Sequence, residues 1–567
     1  MAMAKYQLEV STGDMEKAGT WDHILVTLIG TLGQSEKTKL DGWGRDFGVG
    51  STGQRACAAV AGEPVVLPQC PGAHSRGDTV LFPCYRWISR GERVELRKAK
   101  ATKIFEEDHP MQKEHRQKEM TERKELYRFK VFEEGLPYRA HYDSVEEGLE
   151  MMLKGMVGSQ KRWENEEEMR NIFWMKKTPI TEYVADHWRE DDFYGSQFLN
   201  GYNPMVIHRC QELPLNFPVT NEMVQPFLDG GHSLTTALEA GNIFLYDAKK
   251  FEGIPPRTYN GRALHVTPGL CLFYLNSEKQ LKPIAIQLYQ KPAEDNPIFL
   301  PSDLETDWLL AKMFIKNAVI MEHQSVNHLM NTHLLVEVFI IAMLRNLPTV
   351  HPIYKCSVGS KGLKELMKRS FSELTYSDLC LPENITSRGL DSVPNFYYRD
   401  DGLTLWAIIH SFAQAVIEHF YPSNADVQRD SELQDWISEI FTYGFWETKN
   451  QFDYQTYLPN VSLLLVSAPP TTKGQSTMQS VLDALPNVGD TGKITTIGWL
   501  LSAQYSDLTP LGTYTDERFD DPILTQMMKE FQAQLSNLEE TITQRNKGLP
   551  VPYTYLLPSQ VENSIAI

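Results

Sequence analysis

Cysteine is scarce and patternless: seven cysteines in 567 residues, with no CxxC pair. That sets aside a disulfide framework and a cysteine–histidine zinc site, and it fits free thiols in a reducing compartment. Positive charge is in deficit. A formal net charge of −18 argues against general nucleic-acid binding. A membrane surface reached through a local apolar patch stays open. The first residues, MAMAKYQLEV, contain no apolar signal core, and no run of about 18 uncharged apolar residues occurs. The expectation is a cytoplasmic chain, at most peripheral to membranes. Walker, GxSxG and HExxH motifs are missing, so P-loop, hydrolase-elbow and zincin chemistries have no foothold.

What is present is a soluble-type composition, 42% hydrophobic and 23% charged, in a chain long enough for about two to four domains. One stretch dominates it. Residues 307–355 are apolar and free of Gly and Pro until Pro348, yet carry His323, His328, His333 and His351. A buried ring nitrogen needs a partner. Either each histidine caps a polar contact, or some share a metal. In a regular α-helix His328 and His333 would sit roughly 140° apart and could not share one ion. One π-type turn would bring them to the same side, and such turns are frequent at functional sites.

Residues 1–100 read as β. Alternation runs through 6–10, 24–30 and 82–88, with few helical periods, so a small antiparallel β-sandwich is expected. The stretch 48–77, rich in Gly, Ala and Pro, shows little strand pattern. Trp21 and Trp43 read more simply as core residues than as membrane-touching tips. Residues 101–130, dense in both charges, read as a linker and an exposed helix. From there to 567 the pattern is mainly helical, as in 146–158, 181–191, 402–421, 432–446 and 523–546, with a short buried strand at 283–288. The last twelve residues are largely apolar and uncharged apart from Glu562, which suggests that the tail inserts into the body. A buried terminal carboxylate then needs a cation or donors.

These residues also carry a resemblance. FPCYRW (82–87), QFLNGYNP (197–204), IHRCQELP (207–214), PIAIQL (283–288), NPIFLPSD (296–303), WLLAK (308–312), the histidine helix, VHPIYK (350–355), RNKGLPVPYTYLLP (545–558) and NSIAI (563–567) stand in the order of the animal lipoxygenases. The resemblance implies a mainly α catalytic domain (lipoxygenase fold) over 101–567. It implies a PLAT-like N-terminal β-sandwich over 1–100, incomplete here, of a kind that attaches such enzymes to membranes, with calcium helping in some members. It further implies a mononuclear non-haem iron that takes a hydrogen from a bis-allylic carbon of a polyunsaturated fatty acid such as arachidonate. Molecular oxygen then adds and a hydroperoxide results. By this resemblance the metal ligands are His328, His333 and the terminal carboxylate of Ile567. His323 and His351 match positions outside the ligand set.

The sequence departs from the family in three places. A third histidine and an Asn, spaced HxxxN on a later helix, should stand between 433–446 and 458–460, and about one helix is missing there. Asn450 has no histidine four residues before it. Neither His410 nor His419 has Asn four residues after it, and the HxxxN at His323–Asn327 lies on the ligand helix itself. The arched segment expected after VHPIYK is cut short, and 48–77 lacks strands. Clean losses between good matches suggest skipped coding segments, which sequencing the transcript would decide. Iron held by two histidines and a carboxylate is then expected at low occupancy, with little or no dioxygenase activity. A catalytically impaired relative and a hydroperoxide isomerase stand as the alternatives.

Overall fold

The computed structural model describes residues 3–12, 23–30, 33–40, 48–49, 52–61, 82, 93–94, 96, 101–107, 110–127, 161–170, 178–254, 257–259, 262–356, 380–442, 465–492, 510–513 and 521–563. At the N-terminus the alternation at 6–10 becomes the strand Met3–Ser11. It pairs antiparallel along its length with Thr52–Ala61. That partner corrects the expectation for 48–77: a ten-residue strand lies within it. Its alanine-rich run alternates weakly, but a full-length neighbour pairs with the backbone groups on its facing edge, and such pairing overrides weak propensity. The alternation at 24–30 splits into Leu25–Val26 and Ile29–Gly30, paired with Thr38–Lys39 and Gly33–Gln34. Trp21, Trp43, the strand expected at 82–88 apart from Phe82, and the helix expected at 146–158 lie outside the described residues.

The charged segment forms the helix Pro110–Leu126, whose one buried residue is Arg116. Beyond it stands a four-stranded antiparallel sheet. Its order is Leu281–Gln287, Leu270–Leu275, Ile243–Asp247, His208–Arg209. The runs IFLYD and LCLFYL are apolar almost throughout because both faces of the sheet are covered.

One cover is the helix Asp191–Asn200, which lies between the sheet and the long histidine helix. On the sheet side Gly195 touches the strand: a Cβ there would sit 1.8 Å from the Leu281 carbonyl oxygen. On the other side Asp191 accepts hydrogen bonds from Trp308 Nε1 (2.9 Å) and Lys312 Nζ (2.7 Å). Tyr194 donates its hydroxyl to the Lys312 carbonyl at 3.1 Å. The long helix itself runs as α over Glu305–Glu322, as π over His323–Leu334 and as α again over Leu335–Asn346. Phe314, Ala311 and Ala318 are fully buried in one core with Phe198, Phe273 and Phe299.

Towards the C-terminus Tyr397–Phe420 packs along Pro522–Asn546 through Leu405, Ile408, Phe531, Leu535 and Leu538. Up to Asn563 the tail is tied to residues 511–512. Leu511 N–H donates to the Val561 carbonyl (2.7 Å), and Gly512 N–H to Asn563 Oδ1 (3.2 Å). Residues 564–567 lie outside the described residues. Among the described residues, no helix is long and apolar enough to cross a membrane.

The contact at Gly195 can be tested. Gly195→Ala must force the helix off the sheet, and overpacking of this kind costs about 1–3 kcal/mol. Denaturant unfolding of the variant measures it; an unchanged midpoint would show that this approach is not tight.

Candidate metal centre

Two ties on Glu322 stand where the π segment begins. Glu322, the last α residue, accepts hydrogen bonds from Tyr246 (3.2 Å) and from Lys250 Nζ. The His323 amide closes the α run on the Ile320 and Val319 carbonyls. Twelve residues, HQSVNHLMNTHL, then follow the wider register. One π-type turn was enough to align His328 with His333, and the π segment is longer than that. Its i→i+5 bonding stacks residues five apart, which is the spacing of these two histidines.

His328 is half-buried, and its Nδ1 lies 3.2 Å from Gln324 Oε1. An amide oxygen only accepts, so the ring proton sits on Nδ1 and Nε2 carries the lone pair that a metal requires. Gln324 is itself oriented, since its Nε2 donates to the Tyr202 hydroxyl. His323 packs beside this pair, its ring centroid 4.2 Å from Tyr202 and 6.0 Å from His328. Burial, and then the neighbouring His328, push His323 down to about 4. His323 is therefore neutral near pH 7 and adds no positive charge beside His328. Among the described residues, its buried Nδ1 has no hydrogen-bond partner.

The structure places the backbone of His333 on the same π segment; its side chain, like Ile567 and Asn450, lies outside the described residues. The donor set around His328 fits a metal such as iron: an oriented imidazole with Nε2 unprotonated, on a backbone that aligns a second histidine. The parts played by Gln324 and Tyr202 were not foreseen. A usable signal existed for Gln324 alone, which stands four residues before His328 and so shares its helix face.

The other histidines go elsewhere. His410 is exposed, and His419 Nε2 pairs with Asp521 at 2.8 Å. His351 is fully buried. Its Nδ1 accepts the Ile353 amide (3.2 Å) and its Nε2 donates to Asp430 Oδ2 (3.1 Å), which also takes the Tyr421 hydroxyl at 2.7 Å. His351, Asp430 and Glu432 lie close enough together to offer three ligand atoms to one ion. A cation is already there. Arg116 grips Glu432 with Nε–Oε1 2.6 Å and Nη2–Oε2 2.5 Å, and reaches Glu107 at 3.3 Å. This cluster is a buried hydrogen-bonded network joining four segments of chain.

Comparisons with known proteins converge on one family. The Lipoxygenase family model matches residues 89–358 and 372–464, and the PLAT/LH2 domain model matches 6–58. The chain belongs to the lipoxygenase family. Rat "Hydroperoxide isomerase ALOXE3" is 35% identical over 711 positions, and mouse "Polyunsaturated fatty acid lipoxygenase ALOX8" is 35% identical over 685; both comparisons span 100% of each chain. Against 567 residues here, an alignment of 711 positions leaves at least 144 of them facing a gap in this chain. Among solved structures, a calcium-dependent 11R-lipoxygenase superposes with a TM-score of 0.84 at 29% identity. A LOX deletion variant in complex with arachidonate superposes with 0.84 at 28%. Each superposition covers 100% of both chains.

Asp430 supplies a pH test. Burial alone would push its carboxyl up, but bonds from His351, Tyr421 and the Leu433 amide more than offset this and hold it below the ordinary carboxylate range. A carboxylate with a depressed folded-state pKa contributes stability above its unfolded value, about 3.9, and loses it as pH falls through the folded one. The stability difference between wild type and Asp430→Asn is therefore expected to be largest above pH ~4 and to shrink below it. Unfolding midpoints across pH 2–7 read this, and a constant difference would contradict it.

Proposed function

We propose that this chain is a lipoxygenase-type iron protein acting on polyunsaturated fatty acids, with His328, His333 and the Ile567 carboxylate as the metal ligands. The π-helical segment at 323–334, with His328 held by Gln324, carries this reading. Two imidazoles and a carboxylate suit iron with positions left open for other ligands. Bound there, iron would supply the one-electron oxidation of a bis-allylic carbon that lipoxygenases use before oxygen adds. The protein's part is to hold His328 in one tautomer and to keep His323 neutral beside it. The PLAT/LH2 match supports a peripheral membrane contact, with calcium as an aid, for a chain that works in the cytoplasm.

The missing HxxxN pair sets the level of activity. With two histidines instead of three, iron occupancy is expected to be low and dioxygenase turnover small. The similarity to a hydroperoxide isomerase supports a second reading, in which the substrate is a fatty-acid hydroperoxide rearranged without oxygen uptake.

The purified full-length chain, expressed with added iron, separates these cases. Elemental analysis should find sub-stoichiometric iron that His328→Gln removes. An oxygen electrode with arachidonate should record slow uptake at most, while loss of added hydroperoxide without uptake would identify the isomerase. Full iron with fast turnover would refute the expected impairment, and iron unaffected by His328→Gln would refute the ligand assignment.

A further inference from the structure

A π register is rarely stable unaided, so twelve residues of it must be held from outside. One short turn does much of that holding. Residues 202–205 follow the helix Asp191–Asn200 and meet the long helix on both sides of its α–π junction. Before the junction, the Asn203 amide Nδ2 reaches the Val319 carbonyl at 3.4 Å. Beyond it, the same Nδ2 donates to Asn327 Oδ1 at 3.1 Å, and Asn327 Nδ2 in turn approaches Met205 Sδ at 3.7 Å. Between these points the Tyr202 ring lies on His323 and its hydroxyl holds Gln324, the residue that orients His328.

The turn is well placed for this. Asn203 is 1% exposed, and its Oδ1 accepts the Met205 amide at 3.2 Å, which fixes which way the amide faces. Arg388 donates to the Pro204 carbonyl (3.1 Å) and the Ile207 carbonyl (3.0 Å). On the other side, Asn200 Oδ1 accepts the Tyr397 amide at 2.7 Å, so the turn is tied to the C-terminal helices as well. A brace anchored at both ends and bonded across the junction resists a slide of the helix back to α register. Such a slide would turn His328 and His333 roughly 140° apart.

We infer that the 202–205 turn is a clamp that sets the π register of the long helix and so positions His328 for a metal, with Asn203 and Tyr202 as its positioning residues. The inference rests on the metal-centre reading of His328. Its effect is on the ligand's geometry: Asn203 and Tyr202 act through Asn327, His323 and Gln324.

Two kinds of measurement on the full chain test it. The first is metal affinity, by cobalt(II) or iron(II) titration of the metal-stripped protein. Asn203→Ala should weaken binding by about 10–100-fold, as loss of a residue supporting a ligand typically does. Tyr202→Phe, on a half-exposed ring that keeps its contact with His323, should weaken it less. The control is Asn317→Ala. Asn317 is an equally buried amide of the same helix that donates to the His265 carbonyl at 2.8 Å, away from the π segment. It should lower thermal stability and leave affinity unchanged. The second measurement is amide hydrogen exchange over 323–334, which needs no metal; Asn203→Ala should lower protection there and Asn317→Ala should not. Unchanged affinity and unchanged protection in Asn203→Ala, or equal losses in the Asn317→Ala control, would overturn the clamp. If wild type binds no metal, the metal-centre reading fails, and exchange alone then decides the clamp.

Discussion

Two side chains five residues apart on an α-helix cannot face one point, and that geometric fact governs the centre of this molecule. The long helix resolves it by changing register at His323 and changing back at Leu335. Much of the surrounding structure makes that change tolerable. Glu322, tied by Tyr246 and Lys250, marks where the α run stops. The Asp191–Asn200 helix, wedged against the sheet at Gly195, delivers the 202–205 turn to the junction. Without the wider register, His328 and His333 would be two unrelated histidines in an apolar helix.

The buried polar groups divide into two kinds. His351, Asp430, Tyr421, Arg116 and Glu432 hydrogen-bond one another and join the VHPIYK segment to the 431–439 helix and to the charged helix near the N-terminus. Such a closed network gives up its stability when one member is removed, because the remaining charge is left buried. The group around His328 is different in kind. Gln324 uses its amide to orient an imidazole, and that imidazole's second nitrogen then carries a lone pair suited to a metal. Spacing alone left metal sharing and polar capping open for all four histidines. His351 turned out to cap, while His328 is held as a ligand would be.

Much of the fold could be read from the residues. The strand at 281–287, the helices at 397–420 and 522–546, and the exposed charged helix all follow their hydrophobic periods. The π-type turn could be foreseen from the five-residue spacing, since nothing else reconciles it with a shared ligand. The strand Thr52–Ala61 could not, because alanine-rich segments carry little alternation and its stability comes from a partner about fifty residues away. Nor could the roles of Tyr202 and Asn203, which stand more than a hundred residues from the histidines they support.

By itself, the sequence determined the family, the helix that carries the histidines, and the absence of an HxxxN spacing between 433 and 460. Those are properties of residue type and order, which a linear chain displays directly. Only the tertiary structure decided how far the π register extends, which nitrogen of His328 bears the proton, and that His351 belongs to a network with Asp430 and Tyr421. The reason is physical. Register and tautomer are set by hydrogen-bond partners brought from distant parts of the chain, and no local pattern records who those partners will be.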